Sequence, residues 1–289
     1  MIANKISAVI SQCRFFVLPL GLLAIISSHI LAENFNLIQL FWTSLSFIFL
    51  HVFMASVNNT YDVDFDNVSV IMSSQNPIVT GDLSLRDATI INLVTPLLAV
   101  TTSLYAGFFW IVLTLIGIGL VLIYDLHPFR LKDRPLGVLV PGFYLALPFL
   151  FSYLNAASHF IFHPSIPFIF LFLFVNGVTA VRHIPDLESD RKMNVCNFPA
   201  RYNIEATRIL ELAVTMTLLS ILVVITMLGI LSWVGLPVLL LTTIFRLSIL
   251  LKPQTVLKNP VVWRRFAQVM VVNSTAILLS ITGTVLPGP

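Results

Sequence analysis

Long apolar runs separated by short polar connections dominate this chain. A bilayer-spanning helix needs about 20 mostly apolar residues. Nine stretches approach that length: residues 15–32, 38–57, 88–105, 108–124, 137–155, 165–181, 209–228, 230–249 and 267–287. Only Ala106 and Gly107 separate the third from the fourth, which predicts a tight turn. The seventh and eighth meet near Gly229, where the chain is still apolar, and both pairs read as helical hairpins. The pattern predicts an all-α fold: a polytopic membrane bundle of nine transmembrane helices forming one domain over residues 1–289. No cleavable signal is expected, because the N-terminus lacks a short apolar stretch followed by a small-residue cleavage site.

Charge tests the span count independently of any motif. With nine spans, the N-terminus and the even-numbered connections share one side, and that side carries all 16 Lys and Arg residues. Basic residues mark the cytoplasmic side. The N-terminus and these connections are therefore expected in the cytoplasm and the C-terminus outside. Of the 13 acidic residues only Glu33 falls on the outer side. The topology rule does not require that second asymmetry, and it directs attention to the cytoplasmic ends of the spans.

Composition narrows the class. The chain is 57% hydrophobic and 10% charged, with a mean hydropathy of +0.96, whereas an ordinary soluble domain carries roughly 25% charged residues. A water-soluble globule is excluded. The net charge of +3 is too weak and too dispersed for a nucleic-acid reader. Cys13 and Cys196 are read as inert thiols, since two cysteines do not make a disulfide-stapled fold. The polar residues that remain inside such a chain are the informative ones.

Two acidic constellations continue spans. The first is Asn58-Asn59-Thr60-Tyr61-Asp62-Val63-Asp64-Phe65-Asp66, after span 2. If the helix continues, Asn58, Asp62 and Asp66 recur at i, i+4 and i+8 on one face. Like charges at that spacing repel unless a cation sits between them. The second is Pro185-Asp186-Leu187-Glu188-Ser189-Asp190, after span 6, where Asp186 and Asp190 again stand four apart. Two carboxylate-bearing helix ends on one side of the membrane can face each other across a cavity opening near the cytoplasm. Hard oxygen ligands of that kind suit Mg²⁺, which is usually held by one or two carboxylates together with substrate phosphates.

The opposite charge comes after span 4, in Tyr124-Asp125-Leu126-His127-Pro128-Phe129-Arg130-Leu131-Lys132-Asp133-Arg134. Arg forks match phosphate oxygens and Lys serves as a point charge. Arg182 and the Arg191–Lys192 pair can add to them, although each is also a plain topology signal. Between the first acidic motif and span 3 lies Asn76-Pro77-Ile78-Val79-Thr80-Gly81-Asp82, a turn in which Thr80, Asp82 or Ser84 can cap the next helix. The six histidines offer no convincing metal-ligand context: His159 and His163 stand four apart but near the outer surface, away from the acids. A P-loop, a GxGxxG turn and a nucleophile elbow are all absent from the sequence.

Together these residues resemble the UbiA-type intramembrane prenyltransferases. The family's Asn-Asp-x-x-Asp-x-x-x-Asp signature is matched by Asn58, Asp62 and Asp66, and its Asp-x-x-x-Asp signature by Asp186 and Asp190. Tyr124, Pro128, Arg130 and Lys132 are similar to its basic segment, and residues 76–81 resemble the turn before its third span. The likeness covers nearly the whole chain. Asn59 stands where the family usually has Asp, and Asn76 where it usually has Arg. Asn194 and Asn197 stand for the common Gly and Thr. The run Ile184–Arg191 looks closest to members that act on isoprenoid or carotenoid lipids.

The resemblance implies a polyprenyl diphosphate donor and Mg²⁺ at the cytoplasmic mouth. Asn58, Asp62, Asp66, Asp186 and Asp190 would hold the metals, and Tyr124, Arg130, Lys132, Arg182 and Lys192 would line the donor's diphosphate end. Departure of the diphosphate would leave an allylic carbocation that a lipophilic acceptor attacks inside the membrane. Tyr61 or Tyr124 can steady such a cation through a ring face. No nucleic-acid or obligatory protein partner is inferred. A membrane terpene cyclase is the alternative with the same ionisation, distinguished by forming a ring without an acceptor. A transporter would need acids near the bilayer midplane, whereas the sequence places every acid at or beyond a span end. A scaffold with vestigial motifs would release no diphosphate.

Overall fold

The computed structural model describes residues 8–14, 18–32, 35–69, 72–157, 165–227 and 236–253, together with Asn259 and Val262. All regular structure among them is helical. The helices are α1 (Leu18–Leu31), α2 (Leu37–Tyr61), α3 (Val63–Val68), α4 (Leu85–Ala106) and α5 (Phe108–Asp125). They are followed by α6 (Val140–Ala156), α7 (Ser165–Arg182), α8 (Leu187–Lys192), α9 (Phe198–Met227) and α10 (Leu236–Leu250). Against the nine expected spans, five described helical stretches are long and apolar enough to cross a membrane: Leu37–Tyr61, Leu85–Ala106, Phe108–Asp125, Pro135–Ala156 and Phe198–Val224. The shorter apolar helices α1 and α7 stand at the expected first and sixth positions. The turn expected near Gly229, the ninth span at 267–287, Glu33, His159 and His163 lie outside the described residues.

Local chemistry sets the helix ends. The Asn36 side chain accepts the Ile38 and Gln39 N–H groups and starts α2, and Ser84 accepts the Asp87 N–H and starts α4. Gly107, at φ +122°, joins α4 to α5 as the expected tight turn, in a conformation that L side chains rarely adopt. Hydropathy marks two ends short. Helix α2 runs to Tyr61 rather than 57, and α9 begins at Phe198 rather than 209, with Asn203 (φ 77°) interrupting it. In both cases polar residues extend the helix because they find partners within the protein.

Helix α1 packs on α2 and α6, α2 on α4 and α5, α6 on α5 and α7, and α9 on α7 and α10. Gly117 of α5 lies against Leu50 of α2 so closely that a Cβ there would approach a Leu50 methyl to 2.7 Å, the small-residue contact that lets apolar helices pack in a membrane. One core gathers Leu50, Phe53, Val57, Ala99 and Val121, and another Phe170, Phe174, Leu218, Leu222 and Leu250. Large apolar side chains remain exposed along the outer faces, among them Leu93, Leu97, Leu104, Leu115, Ile209 and Leu241. At the end of this bundle, short α3 packs against short α8, so the two acidic segments meet.

Candidate active site at the joined acidic tips

The first acidic motif does not form one unbroken helix. Helix α2 ends at Tyr61, Asp62 turns the chain (φ −104°, ψ 8°), and α3 follows. The i, i+4 relation survives the turn: the Asp62 N–H donates to the Asn58 carbonyl at 3.0 Å and the Asp66 N–H to the Asp62 carbonyl at 2.6 Å. The Asn58 amide donates to Asp62 Oδ2 at 3.0 Å and also to Asp125 Oδ1 at 2.8 Å, on the last residue of α5. Asp64 is exposed, whereas Asp66 is buried.

The basic segment folds onto that tip. Arg130, in the left-handed region at φ 40°, donates from Nη2 to Asp62 Oδ1 at 2.9 Å, from Nε to Asp133 Oδ2 at 2.6 Å and from Nη1 to the Tyr61 carbonyl at 3.2 Å. Its guanidinium lies 4.3 Å from the Phe65 ring centroid. Lys132 Nζ stands 2.5 Å from Asp62 Oδ1 and 2.6 Å from Asp125 Oδ1. The expected repulsion along the motif is thus relieved by two cations from the neighbouring segment.

The second motif has different partners. Helix α7 ends at Arg182, and Asp186 stands at the N-terminal end of α8, with the Asp190 N–H donating to its carbonyl at 2.8 Å. Asp186 Oδ1 accepts from the Ser69 hydroxyl at 2.9 Å, a direct link between the tips. Asp190 Oδ2 accepts from the Asn197 amide at 2.7 Å, while Asn197 Oδ1 accepts the Ala200 N–H at the start of α9. The Cys196 N–H donates to the Asp133 carbonyl at 2.8 Å, fastening this loop to the basic segment. Tyr124 is close enough to feel the charges of Arg182, Asp125, Asp62 and Arg14. Arg182 and Lys192 are exposed, Lys192 in the last turn of α8, and Tyr61 is 47% exposed.

The four asparagines all have structural work. Asn59 donates to Gln12 Oε1 at 3.1 Å and accepts from Arg14 at 2.5 Å. Asn76 donates to Asp66 Oδ2 and to the Asn59 carbonyl, both at 2.8 Å. Asn194 adopts φ 56°, a conformation that Asn tolerates better than most residues. Sequence spacing alone missed Ser69, Arg14 and the part played by Asp125, because each joins the site from a distant segment. It also counted Arg246 among loop cations. The structure buries Arg246 in α10 against Glu211 of α9, with its guanidinium 5.4 Å from the Phe174 ring. A small cavity beside that pair is lined by Phe170, Phe174, Thr215, Leu218 and Thr243.

Crowding raises two of the tip carboxylates. Asp66 is pushed up to about 6, first by burial, against the lowering effect of the Asn76 hydrogen bond, and further by the charge of Asp62. Asp190 is likewise pushed up to about 6 by burial, with Asp186, Asp133 and Asp62 adding to the rise and Asn197 opposing it. The charge of Asp62 therefore reaches Asp190 across the two tips. Among the described residues no group of three His, Cys, Asp or Glu is gathered tightly enough to hold a metal ion, and Asp62 is paired with Arg130 and Lys132. The donor chemistry nonetheless fits Mg²⁺: all-oxygen carboxylates, mutually repelling, on two linked helix ends.

This arrangement, acidic helix tips joined at one end of an apolar helical bundle, is that of a membrane-embedded protein rather than a soluble one. The sequence profile of the UbiA prenyltransferase family matches residues 18–282, and the chain belongs to that family. It is an integral membrane protein. Its structure is similar to that of a digeranylgeranylglyceryl phosphate synthase (TM-score 0.72, 15% identity, 96% of this chain and 99% of that one). It is also similar to a UbiA homologue from Archaeoglobus fulgidus bound to DMAPP and Mg²⁺ (TM-score 0.69, 17% identity, 94% and 98% covered). A UbiA homologue from Aeropyrum pernix K1 gives a TM-score of 0.71 at 17% identity, again with 94% and 98% covered. No curated protein sequence matches the chain.

Proposed function

We propose that the protein transfers a prenyl group from a polyprenyl diphosphate to a lipophilic acceptor within the membrane, with Mg²⁺ as cofactor. The observation that carries this reading is the junction of the two acidic tips through Ser69 and Asp186, with Arg130 and Lys132 folded into it. Family membership and the solved homologues bound to DMAPP or GPP with Mg²⁺ support it. Asp62, Asp66, Asp186 and Asp190, with Asn58, would hold the metal. Bound there, Mg²⁺ supplies Lewis-acid charge stabilisation of the departing diphosphate.

The chain's own residues do the rest. Arg130 and Lys132 bind the remaining phosphate charge, and preorganised charge of this kind is commonly the largest catalytic contribution. Arg182, Lys192 and Tyr124 border the same end. The C–O bond of the donor breaks with its electron pair on the diphosphate, leaving an allylic cation. The bundle excludes water that would quench it. The acceptor's nucleophile then bonds to that carbon and releases a proton. The isoprenoid tail lies among the helices, and the tips, with the N-terminus, face the cytoplasm by the distribution of Lys and Arg.

The test is turnover of prenyl diphosphates of several lengths with Mg²⁺ by the purified protein, followed by mass spectrometry of the lipids formed. Diphosphate release coupled to a prenylated lipid is expected, and Asp186→Ala is expected to abolish both while the protein still inserts. Full activity in that variant overturns the reading. A cyclic product formed without an acceptor replaces transfer by cyclisation.

A further inference from the structure

Asp125 belongs to neither acidic motif, yet the structure buries it completely at the last residue of α5. Its Oδ1 accepts from Asn58 Nδ2 at 2.8 Å and from Lys132 Nζ at 2.6 Å, while its Oδ2 has no hydrogen-bond partner. Because Lys132 Nζ also stands 2.5 Å from Asp62 Oδ1, one ammonium on a side chain only 8% exposed bridges two carboxylates. Asp62 additionally holds Arg130, whereas Asp125 holds no other cation among the described residues.

A buried charge must keep a counter-charge, since stripping one partner from a buried pair is strongly unfavourable. In the prenyl-diphosphate reading, on which this inference rests, Asp62 exchanges its ammonium partner for Mg²⁺. Were Asp62 the sole counter-ion of Lys132, a metal reaching Asp62 ahead of the diphosphate would strand the ammonium, and the pair would resist the exchange. Asp125 removes that conflict. It sits at the end of a long helix, its acceptor oxygen is held by Asn58, and it can retain Lys132 when Asp62 lets go. We propose that Asp125 is a positioning residue for loading of the Mg²⁺–diphosphate unit: it keeps Lys132 beside the site as the resident counter-ion and so frees Asp62 for the metal. Asn58, bonded to both carboxylates, holds the two roles in register.

Calorimetric titration of inorganic diphosphate into the full-length protein, repeated over a series of Mg²⁺ concentrations, tests this without turnover. Asp125→Asn keeps the shape and an acceptor oxygen and removes the charge, so Lys132 falls wholly to Asp62. The Mg²⁺ concentration at half-saturation is expected to rise about ten-fold, the scale of one charge-assisted hydrogen bond. Adding Lys132→Met is expected to remove that rise, returning the Mg²⁺ requirement to that of Lys132→Met alone. Asp125→Ser, smaller and also neutral, is expected to show the same rise and the same relief. A packing role gives no such rescue. Wild-type Mg²⁺ dependence in Asp125→Asn, or a double variant worse than both single ones, overturns the inference. Failure of the wild-type protein to bind diphosphate at any Mg²⁺ concentration instead removes the reading beneath it, and the inference with it.

Discussion

The two acidic tips share a spacing and differ in their electrostatic company. At the first, Asp62 is shared by Arg130 and Lys132, and Asp125 takes the other side of Lys132. At the second, Asp186 and Asp190 are answered by neutral donors, Ser69 and Asn197, and no described salt bridge reaches them. The leading carboxylates of the two motifs thus have two environments: Asp62 is neutralised by the protein's own cations, whereas Asp186 is left with its charge, and the trailing Asp66 and Asp190 each rest on a neutral amide. A divalent ion must compete at the first tip and gains a ready partner at the second. Opposite charge from the same segment can therefore quiet one tip before the substrate arrives and face the diphosphate afterwards.

The largest expected effect breaks the comparison at both tips. Asp62→Ala and Asp186→Ala are each expected to cut diphosphate release by at least about a hundred-fold. Their stabilities should separate. Asp62→Ala takes a counter-charge from two buried cations and is expected to cost about 2 kcal/mol in an unfolding titration. Asp186→Ala loses a bond to Ser69 and should unfold close to wild type. Equal destabilisation of the two variants would erase the distinction drawn here.

A control lies away from the tips. Removing one partner of a buried ion pair costs about 3–5 kcal/mol. Glu211→Ala, which leaves Arg246 buried without its carboxylate, is therefore expected to lower unfolding stability by that amount, and Glu211→Ala/Arg246→Met to regain most of it. A single variant as stable as wild type would show that the pair contributes nothing.

Next comes pH. Asp66 and Asp190 are each raised to about 6 from the ordinary 3.8. Between those values the folded, metal-free protein binds more protons than the unfolded chain, so these two groups make its stability fall as pH rises through that window. Metal binding runs the other way: protons compete for both carboxylates, and the Mg²⁺ concentration at half-saturation is expected to climb as pH drops below about 6. Mg²⁺ affinity that stays flat from pH 7 to pH 5 would contradict the placement of these acids at the metal. The smallest effect is expected from Asn76→Ala and Asn197→Ala. Each removes a hydrogen bond that lowers its neighbouring acid and should move the acid limb of the pH–rate profile to higher pH. Unchanged profiles would sever that link.

Most of the described bundle was legible in the sequence because lipid demands long apolar runs and makes polar residues conspicuous. The Ala106–Gly107 turn, the Ser84 cap and the two acidic segments all follow from local patterns. Contacts between distant segments were less legible. Nothing in the spacing of Asp62 and Asp66 says that the first motif turns at Asp62, or that Ser69 reaches Asp186. Asp125 looked like one more loop acid until α5 placed it between Asn58 and Lys132. Asn59 and Asn76 read as losses from a family pattern, whereas in the folded chain the Asn76 amide serves both Asp66 and the Asn59 carbonyl. Arg246 was counted with the topology charges because its partner, Glu211, lies 35 positions earlier.

The central claim is that both tips together hold one metal–diphosphate unit. Titrating Mg²⁺ and inorganic diphosphate into the wild type, Asp62→Asn, Asp186→Asn and the double variant addresses it most directly. The account predicts that either single change abolishes measurable heat of binding and that the double variant is no worse. Wild-type affinity in either single variant would mean that one tip suffices, and would contradict it.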